Sequence, residues 1–153
     1  EEVAARRGLP FERVDLDGLG AQADVIITIT SSFAPILKAA EVRPGTHIAC
    51  MGTDTVGKQE VEAELVSRAS VFTDEVAQAV TLGECQHAVA AGLVDAGSIV
   101  EIGQVVTGAH PGRTSAEEIT LFDGTGVGLQ DLAVASAVVD LAVRKGIATE
   151  VEF

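Results

Sequence analysis

Apolar residues in this chain fall into short runs that alternate with stretches of helical spacing. Asp24–Thr30, DVIITIT, is the clearest run. It is β-branched and continuous, the pattern of a central strand covered on both faces. Thr46–Met51 reads as a second buried strand, Ser70–Thr73 as a third and Ser115–Phe122 as a fourth, with a shorter one at Phe11–Val14. The opening EEVAARRGLP reads as the last turns of a helix stopped at Gly8 and Pro10. Asp17–Ala23 is predicted helical with Asp17 as N-cap. A helix is expected to begin near Lys58 and to be amphipathic over Glu60–Arg68. Asp74 is expected to cap a helix running through Val80, and further helices cover Cys85–Ala91 and a piece around Glu101–Val106. Pro35 and the Arg43-Pro44-Gly45 turn bracket a link. Strands alternating with helices predict an α/β fold, a doubly wound parallel sheet.

The last predicted element, Val127–Arg144, is a long helix stopped by Gly146 and followed by a tail, Thr149–Phe153. Its polar positions are few, Gln130, Asp131, Ser136 and Asp140 among them. A helix that apolar requires cover on several sides, from further parts of the same protein or from a second subunit.

Composition adds limits. The chain has 153 residues, enough for one domain with a sizeable core, and nearly half are apolar. A net charge of −13 lacks the basic face of a nucleic-acid binder. Two cysteines, Cys50 and Cys85, are too few for a disulfide framework and point to reduced thiols and a cytoplasmic setting. No apolar run reaches the ~18 residues of a membrane span. The chain opens inside a helix with no initiator Met, so the expectation is of a segment of a longer protein.

The candidate chemistry centres on HIACMGTDTVGKQE, His47–Glu60. A strand that ends in a glycine-flanked loop carrying an acid is where open α/β sheets keep their ligands. Asp54 is therefore the first candidate, and the alternative is a turn or cap aspartate. Thr28, Thr30, Ser31 and Ser32 lie at the end of the DVIITIT strand, where hydroxyls bond a cofactor phosphate or ribose, or equally cap a turn. Lys58 near a helix start is mildly unfavourable and hints at an anionic partner; Arg113 carries the same ambiguity. The stretch FDGTGVGLQD, Phe122–Asp131, imitates a dinucleotide fingerprint, but its third glycine falls one position early and no βαβ unit follows. No metal site is expected. His47 and Cys50 point to opposite faces of a strand, Cys85 and His87 diverge on a helix, and His110 reads as a surface histidine.

Four stretches in order carry a resemblance: ADVIITIT (Ala23–Thr30), PGTHIACMGTDTVGKQE (Pro44–Glu60), PGRTSAEEITLFD (Pro111–Asp123) and GVGLQDLA (Gly126–Ala133). Together they resemble the ornithine cyclodeaminase/mu-crystallin family across essentially the whole chain. The phrasing IACMGTDT, FTDEVAQAVTLGECQHAV and FDGTGVGLQDLAVASA is most similar to the family's iminosuccinate-reducing branch, which makes L-aspartate from an imine.

The resemblance implies the C-terminal portion of a two-domain NAD- or NADP-dependent oxidoreductase, a homodimer acting on a small imine or amino acid. The alternatives within the family are a cyclodeaminase converting ornithine to proline and ammonia, and a non-catalytic, mu-crystallin-like binding protein. Residues 1–123 would form the second part of a Rossmann-like domain, and residues 124–153 a helix and tail returning toward a substrate and dimerisation domain. The family's catalytic aspartate falls on Asp54, and its cofactor contacts fall on or near Thr28, Thr30, Ser31, Met51, Gly52, Thr125 and Gly126. Gly124 departs from the family's usual serine. The pyrophosphate loop, the ribose-binding residue and the cations for the substrate carboxylate would all lie upstream of Glu1. The 153 residues alone are therefore expected to be catalytically inert.

Overall fold

The structure, a computed structural model, describes residues 1–151; the final two residues of the expected tail lie outside the described residues. In chain order the helices and strands are α1 (Glu2–Arg7), α2 (Leu16–Gln22), β1 (Val25–Thr28), β2 (Phe33–Leu37), β3 (His47–Cys50), β4 (Gln59–Val61), α3 (Ala63–Arg68), β5 (Ser70–Thr73), α4 (Val76–Ala79), α5 (Gln86–Ala90), β6 (Val100–Glu101), α6 (Ile102–Val106), β7 (Thr120–Asp123) and α7 (Gly128–Arg144). Five strands form one sheet in the order β1-β3-β7-β5-β6, every pair parallel. The fold is thus α/β, with a parallel sheet and a long C-terminal helix. All five strands run the same way, so their carboxyl ends share one edge.

Register explains the core. Ile26, Ile48, Leu121 and Val71 stand side by side across β1, β3, β7 and β5, and all four are buried. Leu37, Val61, Leu65, Val66, Ala79 and Ala88 belong to the same core cluster. Each fully buried aliphatic side chain stabilises the fold by about 1.5–3 kcal/mol. The next row toward the carboxyl edge is Thr28, Cys50, Asp123 and Thr73, buried but largely polar. The core therefore gives way to hydrogen-bonding groups just beneath the loops.

Several expectations need correction. The DVIITIT run is covered on one face only: Ile26 is 2% exposed, whereas Ile27 is 68% and Ile29 73% exposed. A continuous apolar run carries no mark of which face is covered, and in β1 burial alternates along the strand, leaving the Val25 and Ile27 face open. Phe11–Val14 is not a strand, since no neighbouring strand offers it a ladder, and Phe11 and Val14 stay exposed. The second helix starts at Leu16 with Asp15 as its cap, accepting from the Gly18 amide at 2.8 Å; Asp17 sits in the first turn.

No helix begins at Lys58. Gln59–Val61 is instead a strand, paired parallel with β2 in a small second sheet, and the helix starts at Ala63. The amides of Glu60 and Val61 donate to the Glu84 carboxylate, which competes successfully with a helical turn. The supposed link around Pro35 is thus β2, whose register shifts between Phe33 and Leu37 around a residue that cannot donate. Asp74 does not cap α4. Glu75 does, accepting from the Ala77 amide at 3.1 Å.

Helix α7 has no buried residue, and Leu129, Leu132, Val134, Val138, Val139 and Val143 are all exposed. With the bare face of β1, it makes a second apolar surface left open in this chain.

Candidate active site

The carboxyl edge of the sheet gathers the loops after β1, β3 and β7, which carry Thr30, Asp54 and Gly126. The loop after β5 carries Asp74 beside them.

Asp54 is exposed on its loop, while the Lys58 side chain is mostly covered. The ammonium lies 2.7 Å from Asp54 Oδ1 and also donates to the Gly52 carbonyl at 3.3 Å. The Thr55 hydroxyl donates to the same Oδ1 at 3.1 Å. The hydrogen bond from Lys58, then that from Thr55, holds the Asp54 carboxyl below the usual carboxylate range. Asp54 is thus a carboxylate at neutral pH, and the anionic partner suggested by Lys58 is Asp54 itself.

The loop is fixed from α5. Gln86 Oε1 accepts from the Gly57 amide at 2.7 Å, and its Nε2 donates to the Gly83 carbonyl at 2.9 Å. His87 Nε2 donates to the Lys58 carbonyl at 3.0 Å, which sets the ring's tautomer.

Beneath the loops lie three buried carboxylates that sequence reading missed: Glu60, Glu84 and Asp123. Glu60 accepts from the Thr28 hydroxyl (2.7 Å), the Thr30 amide (2.5 Å) and the Gly52 amide (3.0 Å), tying the end of β1 to the end of β3. Glu84 accepts from the Thr53 hydroxyl and from the Glu60 and Val61 amides, tying the loop to β4. Asp123 accepts from the Cys85 amide at 3.1 Å, and its Oδ1 has no partner among the described residues. Burial pushes the Asp123 carboxyl up to about 6, and burial also raises Glu84. Glu60, between Gln59 and Val61, reads as part of an amphipathic helix surface, and Glu84, between Gly83 and Cys85, falls in a connection, so neither carries a local mark of burial.

The other candidates fall as follows. Thr28 is buried and its hydroxyl donates to Glu60. Thr30 Oγ1 accepts from the Ser32 amide, a turn cap, and Ser31 is exposed beside it. Gly52 is packed so closely that a methyl group there would overlap the backbone of Thr30 and the Glu60 carboxylate. Met51 is exposed, and its thioether fills the space that a side chain at Gly124 would need. Thr125 and Gly126 are held by Asp74: the carboxylate accepts from the Thr125 amide (3.0 Å), the Thr125 hydroxyl (2.6 Å) and the Gly126 amide (2.8 Å). Gly126 has φ 74° and open space where a side chain would stand.

Arg113 belongs elsewhere. It donates to the Gly45 carbonyl and the Thr120 hydroxyl at the amino edge of the sheet, where Thr120 also meets His47 Nδ1 at 2.8 Å. His110 is half-buried with its ring edge-on to Phe72. Cys50 and Cys85 are free and buried, and burial raises both thiols, so neither is a nucleophile. Among the described residues, no group of three or more His, Cys, Asp or Glu is placed to hold a metal, and no helix is long and apolar enough to cross a membrane.

A parallel sheet with an acid, glycines and hydroxyls converging at its carboxyl edge is the arrangement in which open α/β sheets keep their ligands. The profile of the ornithine cyclodeaminase/mu-crystallin family matches residues 16–146, and the chain belongs to that family. It is 64% identical over 151 residues to iminosuccinate reductase of Paracoccus denitrificans, a match covering 99% of this chain and 47% of that protein. It is 40% identical over 134 residues to alanine dehydrogenase of Archaeoglobus fulgidus, covering 87% and 42%. The crystal structure of the Paracoccus denitrificans reductase in complex with NAD+ superposes with a TM-score of 0.94 at 63% identity, covering 99% of this chain and 47% of that one. An archaeal alanine dehydrogenase dimer with bound NAD gives 0.92 at 36% identity, covering 99% and 48%. The chain spans about half the length of these relatives.

Proposed function

We propose that this chain supplies the acid/base half of an NAD(P)-dependent imine reductase active site, within a polypeptide of its relatives' length. The observation that carries the reading is the convergence of Asp54 with the Thr30 and Thr125–Gly126 loops at one sheet edge. The 64% identity to an iminosuccinate reductase supports a small dicarboxylic imine as substrate and L-aspartate as product.

Fit to a dinucleotide is partial. Open space at Gly126 and the partly exposed Met51 suit the nicotinamide side of such a cofactor. Of the residues assigned to it, Ser31, Met51, Gly52, Thr125 and Gly126 act as lining. Thr28 and Thr30 act through the Glu60 network that shapes the lining. The cofactor, when bound, supplies hydride to the imine carbon. Asp54, kept ionised by Lys58, accepts a hydrogen bond from the N–H of the protonated imine and stabilises its positive charge, so that hydride addition at carbon gives the neutral amine, which then takes a proton from water. Buried Glu60 and Glu84 hold the two loops that set Asp54's position.

Residues 1–123 serve as the second part of the Rossmann-like domain. The segment assigned to residues 124–153 returns toward a substrate and dimerisation domain, a reading supported by α7, which has no buried residue. The bare faces of β1 and α7 suit a homodimer of the longer polypeptide, working in the cytoplasm.

The test is to supply the full-length polypeptide with oxaloacetate plus ammonia and to follow NADH and NADPH oxidation, with ornithine and NAD+ as a parallel arm. Rapid oxidation in the first arm is expected. Proline formation in the second arm alone would make it a cyclodeaminase, and cofactor binding without turnover in either would make it a binding protein.

A further inference from the structure

We propose that Asp74 is a positioning residue for the cofactor: its carboxylate latches the Thr125–Gly126 loop into the shape that receives the nicotinamide side of the dinucleotide. This rests on the dinucleotide reading above. Thr73 and Asp123 are register partners on β5 and β7, so Asp74 and the Gly124–Thr125 peptide leave the sheet side by side. One carboxylate then collects three hydrogen bonds from a segment 51 residues away, using both oxygens. Helix capping does not explain the residue, because Glu75 caps α4.

The start of the loop is tied to the sheet by the Gly124 amide, which donates to the Cys50 carbonyl, and Thr125 is buried, but among the described residues the Thr125 and Gly126 amides have no hydrogen-bond acceptor besides Asp74. Gly126 takes a left-handed φ with nothing near its missing side chain, and the following N-cap of α7, Val127, offers no side-chain bond. A loop with two flanking glycines and an uncapped helix start is entropically free unless something outside it fixes the backbone. Asp74 supplies that fixation and leaves the outward side of the loop open. It acts through Thr125 and Gly126 and need not touch cofactor or substrate.

The experiment uses Asp74→Ala and Asp74→Asn in the full-length polypeptide, with NADH titration by nicotinamide fluorescence, steady-state kinetics and amide hydrogen exchange. Asp74→Ala is expected to raise the Kd and KM for NADH about tenfold, the equivalent of one lost charge-assisted bond. At saturating NADH, kcat should stay within about twofold, a split that a general loss of structure would not give. Protection of the Thr125 and Gly126 amides should fall in the absence of cofactor. Asp74→Asn, which keeps an acceptor oxygen and the shape, should recover part of the affinity; if Asp74→Ala fails to fold, Asp74→Asn decides alone by a smaller rise in KM. Unchanged NADH affinity in the folded variants would overturn the proposal. A wild-type polypeptide that binds neither NADH nor NADPH would overturn the dinucleotide reading, while the amide exchange still reports whether the latch exists.

Discussion

The Lys58 ammonium lies 2.7 Å from Oδ1 of Asp54, four residues earlier on the same loop, and is itself shielded beneath the exposed acid. This contact selects the form in which Asp54 works. A carboxylate with a fixed cation beside it is a better partner for a protonated imine than a proton donor.

Removing that cation should move the acid limb of the pH–rate profile. Lys58 lowers the Asp54 pKa mainly through its hydrogen bond, so Lys58→Met lets the pKa rise toward the ordinary carboxylate value. The acid limb of kcat/KM is expected at higher pH in Lys58→Met than in the wild type. An acid limb that stays in place would show that Asp54 is not the titrating group.

Asp123 should make stability depend on pH. Its native pKa is about 6, raised from 3.8 by burial. A raised native pKa means that protons favour the folded state. The contribution is therefore present below about 4 and lost as pH rises through about 6. Asp123→Asn removes this dependence and should be at least as stable as the wild type at pH 7, with a difference on the order of 2–3 kcal/mol. Urea unfolding at pH 4.5–7.5, about the relevant window, measures it. Parallel pH dependence in the two proteins would contradict the assignment.

Glu60 should be far less tolerant. Its carboxylate accepts from three donors on two loops, all buried or partly buried. Glu60→Gln turns an amide nitrogen toward those donors and leaves at least one unpaired, at a cost of about 1–3 kcal/mol per group. Lower stability and lower turnover are expected together, because the Asp54 loop loses its anchor at Gly52. An unchanged urea midpoint would show the network to be dispensable.

Much of this site was legible in sequence, for a physical reason. β3 is short and apolar and runs through Met51 into Gly52, the kind of strand end at which open α/β sheets keep ligands, and Asp54 lies two residues beyond that glycine. What escaped were contacts between distant segments. Gln59–Val61 looked helical because nothing local announces that Glu84, 24 residues on, will take the Glu60 amide. Asp74 looked like a helix cap because its partners lie 51 and 52 residues away. The DVIITIT run disclosed burial without disclosing on which side. Local pattern gives elements, whereas buried polar pairing decides which residue anchors which loop.

The most direct test of the central claim is Asp54→Asn in the full-length polypeptide, measured as single-turnover NADH oxidation with oxaloacetate plus ammonia beside NADH binding. The rate should fall by ~10²–10⁴-fold, the usual worth of a positioned acid/base group, with NADH affinity within about twofold of wild type. A rate equal to wild type would remove Asp54 from the chemistry.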